Sequence, residues 1–370
     1  MTGNALLPAA PADWLIKAVS SPPLRWTPAT RVSRRKRVVM PPGVARRSLG
    51  FEQFLPIVAE TLGAPLGERG LERIMRRQGH RLAAIAGRSG LVHCVEGLAL
   101  EYARRGRDAP LIVERRALHP AAFAEGLAPC LDIPATVLPY ESWLAERLEE
   151  ETDQASRLLV YSEGAKASFV RHGFPPDQVS VVPLGTDSPP PLIEQCREAD
   201  PYRLLFIGTA SAVKGIDVAV ATVEQLGPPY TLTVAGGANE EMRSWLESRG
   251  QVSYVGQLSR SALNRLAQEA AVLLAPAKES FGLAALDAAA QGCHVLGLNT
   301  MGLSDWLPAE AGTFLAQRDP AVWSAAIGGM LSSGREVDPE TRLATANSAA
   351  TLSWENSGRR LAAVYAQHAP

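Results

Sequence analysis

The sequence predicts an α/β fold made of two parallel-sheet domains. Short apolar runs alternate with helical segments along the chain, which is typical of parallel strands with helices packed on both faces. A proline run at residues 189–191 separates two such sets. The chain has 370 residues, 46% of them apolar, which suffices for two buried cores.

The first set occupies the chain before the proline run. Strands are predicted at residues 38–40, 91–95, 111–113, 158–161 and 179–182, and helices at residues 51–62, from Trp143 to near Thr152, and at 163–172. Prolines at positions 8, 11, 22, 23 and 28 interrupt any long element in residues 1–36. We therefore place the first domain at residues 1–187 and a linker at 188–201.

The second set follows the linker and has the same alternation. Strands are predicted at residues 203–207, 230–235, 252–255, 272–274 and 295–298, and helices at residues 216–226, 261–270, 280–290 and from Trp354 to Tyr365. The second domain is expected at residues 202–349. Residues 350–370 are expected to form a helix that returns to the first domain.

Charge is distributed unevenly along the chain. Residues 1–110 hold 18 Lys and Arg against 8 Asp and Glu, whereas the net charge of the whole chain is −1. This balance gives no signal for nucleic-acid binding by the whole molecule. The basic first third, with its run Arg34 to Arg37, predicts either a solvated edge of a docked domain or contact with an anionic acceptor or membrane surface.

The remaining bulk features predict a cytoplasmic protein, with peripheral membrane contact as the alternative. The four cysteines lie far apart without metal-type spacing, which favours reduced thiols. The N-terminus lacks the basic region and apolar core of a signal peptide, and no apolar run is long enough to cross a bilayer.

The chemistry is expected in the strand–helix–strand unit at residues 272–298. Ser280 is predicted to cap its helix, with Glu279 at the helix start and Asp287 two turns further on the same side. Eight residues at helical rise separate the two carboxylates by about 12 Å. The free amides of the first turn would bind an anion such as a diphosphate. A nucleotide-sugar has a diphosphate for these amides and hydroxyls at both ends for the two carboxylates. The simpler interpretation is an acidic first turn and one exposed aspartate.

Loops upstream of this unit favour the ligand-binding interpretation. After the strand at 203–207, a glycine turn, Lys214 and a helix follow in the order of a phosphate-binding loop, without the spacing of a Walker motif. In open α/β sheets, ligands bind beyond the carboxyl ends of the strands. Five loop residues are expected there: Gly208, Gly236, Gly256, Glu279 and Gly302.

An ordered set of motifs resembles the retaining glycosyltransferases of family four, which have the GT-B fold of two Rossmann-like domains facing a cleft. The resemblance runs from Tyr161 to about Tyr365, more than half the chain. Its motifs are Ser162-Glu163, Val182-Pro183-Leu184-Gly185-Thr186-Asp187, Phe206-Ile207-Gly208 with Lys214-Gly215, Val255-Gly256, Pro276, Glu279-Ser280-Phe281-Gly282-Leu283, Gln291-Gly292 and Trp354-Glu355.

The resemblance implies roles for these residues. Lys214 would contact the diphosphate of a UDP- or GDP-linked sugar, and Glu279 would contact the transferred hexose. The amides of Phe281, Gly282 and Leu283 would lie near sugar and phosphate, and Asp287 would stand where a glutamate usually holds the ribose. The implied reaction retains the configuration of the sugar and passes it to a hydroxyl of a saccharide, a lipid-linked saccharide or a small molecule. No other cofactor is expected.

Three departures from the family pattern leave an alternative open. Asp287 is one methylene shorter than the usual glutamate, and Thr209 stands where an arginine commonly accompanies the lysine. The first domain lacks a clear glycine-pair loop. The alternative is a transferase-like scaffold that has lost turnover and serves as a binding or assembly protein.

Candidates in the first domain are Glu114 and His119, each in or beside the loop after a strand. Either a surface role or a site role fits them; in a site they would orient an acceptor hydroxyl or stabilise the leaving phosphate. His93 lies within an apolar strand and is expected to be a hydrogen-bonded core histidine. The chain contains no Asp-x-Asp, so a metal-independent enzyme is predicted.

Overall fold

The structure is a computed structural model that describes residues 68–86, 90–106, 109–124, 129–134, 142–188, 190–191, 199–332, 334 and 337–368. The predicted strand at 38–40, the predicted helix at 51–62 and the basic run Arg34 to Arg37 lie outside the described residues. Pro189 of the predicted linker also lies outside them.

The first lobe contains a parallel sheet in the strand order β1-β2-β3-β4. Its strands are β1 (Val92–Val95), β2 (Leu111–Glu114), β3 (Arg157–Val160) and β4 (Val179–Val181). Its helices are α1 (Glu68–Ala86), α2 (Leu100–Ala103), α3 (Pro120–Ala124), α4 (Ser142–Asp153) and α5 (Glu163–Arg171). The strands were predicted to within two residues at each end.

The second lobe contains a six-stranded parallel sheet. Its strands are β5 (Asp200–Ile207), β6 (Thr231–Ala235), β7 (Val252–Gly256), β8 (Ala270–Ala275), β9 (His294–Leu298) and β10 (Gly312–Leu315). Its helices are α6 (Ile216–Leu226), α7 (Glu240–Glu247), α8 (Arg260–Glu269), α9 (Leu283–Ala289), α10 (Pro320–Leu331) and α11 (Pro339–Ala350). The predicted α/β class with two parallel sheets is confirmed.

The strand order of the second sheet creates a crevice. The order is β7-β6-β5-β8-β9-β10, so the chain builds outwards from β5 in one direction and then crosses to the other side at β8. The loops after β5 and β8 leave in opposite directions from this switch point, and the gap between them is where open α/β sheets bind ligands.

Buried strands explain the apolar runs of the second lobe. All five residues of β9 are buried, as are the first five of β8, because helices cover both faces of the sheet. Helix α6 is buried from Ile216 to Val223, since it lies between the sheet and α10. This packing positions the loop that precedes α6.

Several described helices were not predicted from the sequence: α1, α2, α3 and α7, and also α10 and α11, which have a clear local signal. Helices α10 and α11 share one kind of start. Each begins with an aspartate followed by proline: Asp319 accepts a hydrogen bond from the amide of Ala321, and Asp338 accepts one from the amide of Thr341, both at 2.9 Å. An N-cap aspartate with proline in the first turn is a strong helix start. This local signal could have identified both.

The last helix, α12 (Trp354–His368), returns to the first lobe as predicted. Thr186 forms a parallel bridge with Ser353 just before the helix. A Cβ on Gly185 would lie 2.2 Å from the amide nitrogen of Trp354, so only glycine permits this approach. Near the other end, the Tyr365 hydroxyl lies 2.6 Å from Nδ1 of His93 in β1. Among the described helices, none is long and apolar enough to cross a membrane.

Candidate functional site

The two residues that flank the switch point meet in an ion pair. Lys214 follows β5 and Glu279 follows β8, and Nζ of Lys214 lies 2.8 Å from Oε1 of Glu279. Their side chains are 37% and 26% exposed. An ion pair with this exposure contributes little to stability, so a ligand can exchange for either partner at small cost. Because the two side chains contact each other, they lie on the same side of the switch point.

Local turns hold Lys214 in this position. Ser211 caps the short 3₁₀ turn Ala212–Lys214 by accepting a hydrogen bond from the Lys214 amide. Gly215 then adopts φ 75°, and a Cβ there would lie 2.5 Å from the carbonyl oxygen of Pro276 in the loop after β8. The close approach of these two backbones, which only glycine allows, keeps Lys214 beside Glu279.

Ser280 does not cap the helix that follows it, so that prediction was wrong. Helix α9 begins at Leu283 after Gly282, which has φ 105°. The hydroxyl of Ser280 donates instead to the carbonyl of Arg116 in the first lobe. Within the described part of the chain, the amides of Ser280, Phe281, Gly282 and Leu283 have no hydrogen-bond acceptor. These amides remain available to an anion.

Glycines shape the rest of this rim. The backbones of the loops after β5 and β6 are in close contact: a Cβ on Gly236 would lie 1.8 Å from the carbonyl oxygen of Gly208. Gly256 ends β7 with φ 70°. Thr209 is exposed at the end of β5. The predicted glycine loops thus all lie at the carboxyl edge of the second sheet, where Thr209 contributes no charge.

Asp287 is already engaged by two side chains. The Thr186 hydroxyl donates to Oδ1 of Asp287 at 2.6 Å, and Nη2 of Arg260 lies 2.8 Å from the same oxygen. Burial raises the pKa of Asp287, although both partners act against this shift. Sequence reasoning missed Arg260, which lies 27 residues before Asp287. A ribose at Asp287 would share that carboxylate with Thr186 and Arg260.

Glu114 ends β2 and lies in a buried polar chain. It accepts a short hydrogen bond from the Tyr161 hydroxyl, and Oε2 lies 3.4 Å from Nε2 of His93. Burial alone would raise the pKa of Glu114, but contacts with His93, Tyr161 and Arg116 lower it overall. Glu114 is therefore a carboxylate at neutral pH. His93 has the core position expected for it, between Glu114 and Tyr365.

His119 lies apart from this chain of contacts. Its Nδ1 accepts a hydrogen bond from the amide of Ala121 at 3.3 Å, at the start of α3. Its ring stacks on His172 with 3.9 Å between centroids. Burial, then His172 and Arg115, lower the pKa of His119 to about 4, so the ring is neutral at pH 7. Among the described residues, no contact joins His119 to Glu114.

The glycine loop of the first lobe is filled from within the lobe. The amides of Gly97, Ala99 and Leu100, which follow β1, all donate to the buried carboxylate of Glu151 at 2.6, 2.9 and 3.1 Å. An internal carboxylate thus occupies the place where a phosphate binds in other α/β proteins. The second lobe is the one that leaves its loop amides available.

Direct contacts between described residues join the lobes beside the crevice. Ser280 bonds to Arg116, and the amide of Glu163 at the start of α5 donates to Oδ2 of Asp305 at 2.7 Å. Gly302 packs against both sides, since a Cβ there would lie 2.0 Å from the carbonyl oxygen of Ser280 and 2.7 Å from the side chain of Ser162. The described residues contain no group of three or more His, Cys, Asp or Glu side chains arranged to hold a metal ion.

Solved structures with a similar fold include glycosyltransferases. Sucrose-phosphate synthase from Thermosynechococcus elongatus superposes with a TM-score of 0.64 at 19% identity, covering 81% of this chain and 79% of that one. The Anabaena protein HepE, in complex with UDP-glucose, superposes with a TM-score of 0.60 at 11% identity, covering 88% and 92%. The fold is GT-B.

Sequence comparison agrees for the second lobe. Residues 201–333 match the family described as glycosyl transferases group 1. D-inositol 3-phosphate glycosyltransferase of Mycobacterium ulcerans is 30% identical over 240 residues, which cover 59% of this chain and 51% of that protein. Glycogen synthase of Mycobacterium tuberculosis is 27% identical over 240 residues, covering 61% and 56%. The chain spans about half the length of these curated relatives.

Proposed function

We propose that the protein is a retaining glycosyltransferase that moves a hexose-type sugar from a UDP- or GDP-linked donor to a hydroxyl acceptor. The observation that carries this proposal is the pairing of Lys214 with Glu279 at the switch point of the second sheet, 2.8 Å apart. A cation, a carboxylate and a row of amides without acceptors then line one crevice in a GT-B fold.

The donor's diphosphate has a natural place in this crevice. Lys214 would leave Glu279 and pair with a phosphate oxygen, and the amides of residues 280–283 would donate to the others. Preorganised donors of this kind stabilise the charge that develops on the leaving diphosphate. Glu279 would accept hydrogen bonds from sugar hydroxyls once Lys214 has turned to the phosphate.

The acceptor would approach from the first lobe. Glu114 lies at the carboxyl edge of that sheet as a buried carboxylate, and His119 lies in the loop that follows it. A saccharide, a lipid-linked saccharide or a small hydroxylated molecule fits the carboxylate and hydroxyl chemistry of this edge. The reaction is metal-independent in this proposal, and the protein acts in the cytoplasm, where its donor is made available.

A second function is a binding or assembly protein without turnover. It is favoured by the contacts of Asp287 with Thr186 and Arg260, which occupy the carboxylate proposed for ribose, and by the uncharged Thr209. In this case the crevice would still bind a nucleoside diphosphate.

Calorimetric titration with UDP and GDP tests the binding part of the proposal. Lys214→Ala is expected to weaken nucleoside-diphosphate binding about 10- to 100-fold, since it removes a charged hydrogen-bond donor. Arg203→Ala is the matched control, because Arg203 forms a similarly exposed ion pair with Glu269 at 2.6 Å elsewhere on the same sheet. Equal affinities of the wild type and the Lys214 variant would refute the role of Lys214.

Release of UDP or GDP from a panel of nucleotide-sugars tests turnover. Glu279→Gln is expected to lower the rate at least about 100-fold while the diphosphate affinity changes less than about 3-fold. An undiminished rate would refute the role of Glu279. Diphosphate binding without release from any donor, in the presence of acceptor sugars, would favour the binding protein.

A further inference from the structure

The pair Arg115-Arg116 places one arginine inside the first lobe and one on its surface. Arg115 is fully buried: Nη1 donates to the carbonyl of Leu148, and the guanidinium lies 5.0 Å from the centre of the Phe169 ring. Arg116 has the opposite environment, with a side chain that is 58% exposed. Arg115 is therefore a structural residue, whereas the exposed side chain of Arg116 is accessible to a ligand.

Arg116 is fastened to the loop that carries Glu279. Its carbonyl oxygen accepts the hydrogen bond from Ser280, the residue next to Glu279, although the two positions are 164 residues apart in the chain. Because this bond uses the main chain of Arg116, the guanidinium takes no part in holding the lobes together. The bond also fixes the main chain of Arg116 beside the segment that carries the amides of residues 280–283.

The guanidinium of Arg116 is only loosely held. Its Nε lies 3.4 Å from Oε1 of Glu96, beyond the length of a strong charge-assisted hydrogen bond. A partly exposed contact of this length has little energy, so an anion with better geometry would replace it. Arginine presents two parallel donors that suit phosphate oxygens.

In the described part of the second lobe, cations near the proposed site are already opposed by carboxylates, and Arg260 pairs with Asp287 at 2.8 Å. Lys214 is opposed by Glu279, and Thr209 at the end of β5 is uncharged. Lys278 precedes Glu279 but already takes part in another interaction. A diphosphate carries more negative charge than Lys214 alone can balance.

We propose that Arg116 of the first lobe supplies the second cation for the donor diphosphate, so that the phosphate site is complete only where the two lobes meet. The inference rests on the proposed function, because it assumes that a nucleoside diphosphate binds in the crevice. Arg116 is then a phosphate-binding residue contributed across the cleft.

Calorimetric titration of Arg116→Gln with ligands of decreasing charge tests the proposal. UDP and GDP are expected to bind this variant about 5- to 20-fold more weakly than they bind the wild type. The affinities for the monophosphates UMP and GMP should fall by a smaller factor, and the affinities for uridine and guanosine should stay within about 2-fold of the wild-type values. Arg116→Lys is expected to recover part of the loss, since it restores the charge without the paired donors. A purely structural role would not depend on the number of phosphates.

Two further variants complete the experiment. Arg104→Gln is the control, because Arg104 is an arginine of similar exposure that pairs with Glu150 on the surface of the first lobe. It should leave all affinities unchanged. Lys278→Gln tests the rival source of charge: a phosphate-dependent loss in this variant and none in Arg116→Gln would overturn the proposal. Thermal melting checks that each variant is folded.

The outcomes separate the two proposals. If the wild type binds UDP or GDP and Arg116→Gln binds it equally well, the inference on Arg116 is overturned and the proposed function stands. If the wild type binds neither UDP nor GDP, the proposed function fails and the role of Arg116 fails with it.

Discussion

Replacing Glu151 with alanine removes one buried carboxylate that holds a whole loop of the first lobe. Oε2 accepts from the amide of Gly97, and Oε1 accepts from the amides of Ala99 and Leu100. Nε of Arg147 lies 3.9 Å from the same carboxylate. Burial raises the pKa of Glu151, while the amides and Arg147 oppose that shift. The alanine variant leaves three amides at the start of α2 without an acceptor.

The expected cost follows from these three amides. A buried donor without an acceptor costs about 1 to 3 kcal/mol, and water entering the vacated space would recover part of this. We therefore expect Glu151→Ala to lower the free energy of unfolding of the first lobe by about 3 to 5 kcal/mol, at the upper end of single-substitution effects. With a urea dependence of about 2 kcal/mol per molar, the midpoint falls by about 1.5 to 2.5 M.

Urea unfolding of the full chain, followed by tryptophan fluorescence, measures this shift. The neighbouring Glu150 is the matched control, because it is 40% exposed and pairs with Arg104 on the surface. Glu150→Ala is expected to move the midpoint by less than about 0.5 M. Equal shifts for the two variants, or a Glu151 variant as stable as the wild type, would show that the carboxylate does not hold the loop.

Two other predictions concern Gly215 and His119. Gly215→Ala should lower the melting temperature more than Gly227→Ala. Both glycines have a positive φ, 75° and 68°, but of the two Cβ atoms only the one at position 215 would contact a neighbour, the Pro276 carbonyl oxygen at 2.5 Å. Equal losses of melting temperature would contradict this. The pKa of His119 is lowered to about 4 in the folded protein, so the unfolded state binds the proton first as the pH falls. The free energy of unfolding should therefore decrease by about 1 to 2 kcal/mol between about pH 6.5 and pH 4, a figure reduced to allow for the partial exposure of the ring. His119→Gln should flatten that pH dependence, and an unchanged slope would argue against it.

Local patterns account for the part of the fold that the sequence determined. The apolar runs became strands, and the predicted helix at 216–226 has the same bounds as α6, since burial periodicity and capping act within a few residues. The parallel sheet topology then brings the loop of Lys214 and the loop of Glu279 to one edge, as the sequence predicted. The starts of α10 and α11 carried a local signal too, in Asp319-Pro320 and Asp338-Pro339, that was not used.

Other features depend on contacts between distant parts of the chain. The sequence placed Ser280 at a helix cap, because a serine before an apolar helical segment favours that role locally. In the folded molecule Arg116, from the other lobe, offers its carbonyl to the hydroxyl, and Gly282 starts the helix instead. The partners of Asp287 and the filling of the β1 loop by Glu151 likewise come from elements far away in sequence.

The chain order of strands, glycine turns and helices therefore determined the two sheets and the edge where a ligand binds, because those depend on backbone geometry and apolar periodicity. Only the tertiary structure, within each lobe and between the two, decided which polar side chains at that edge are already paired and which remain available. That choice depends on contacts between residues that lie 27 to 164 positions apart in the chain, and no local pattern encodes them.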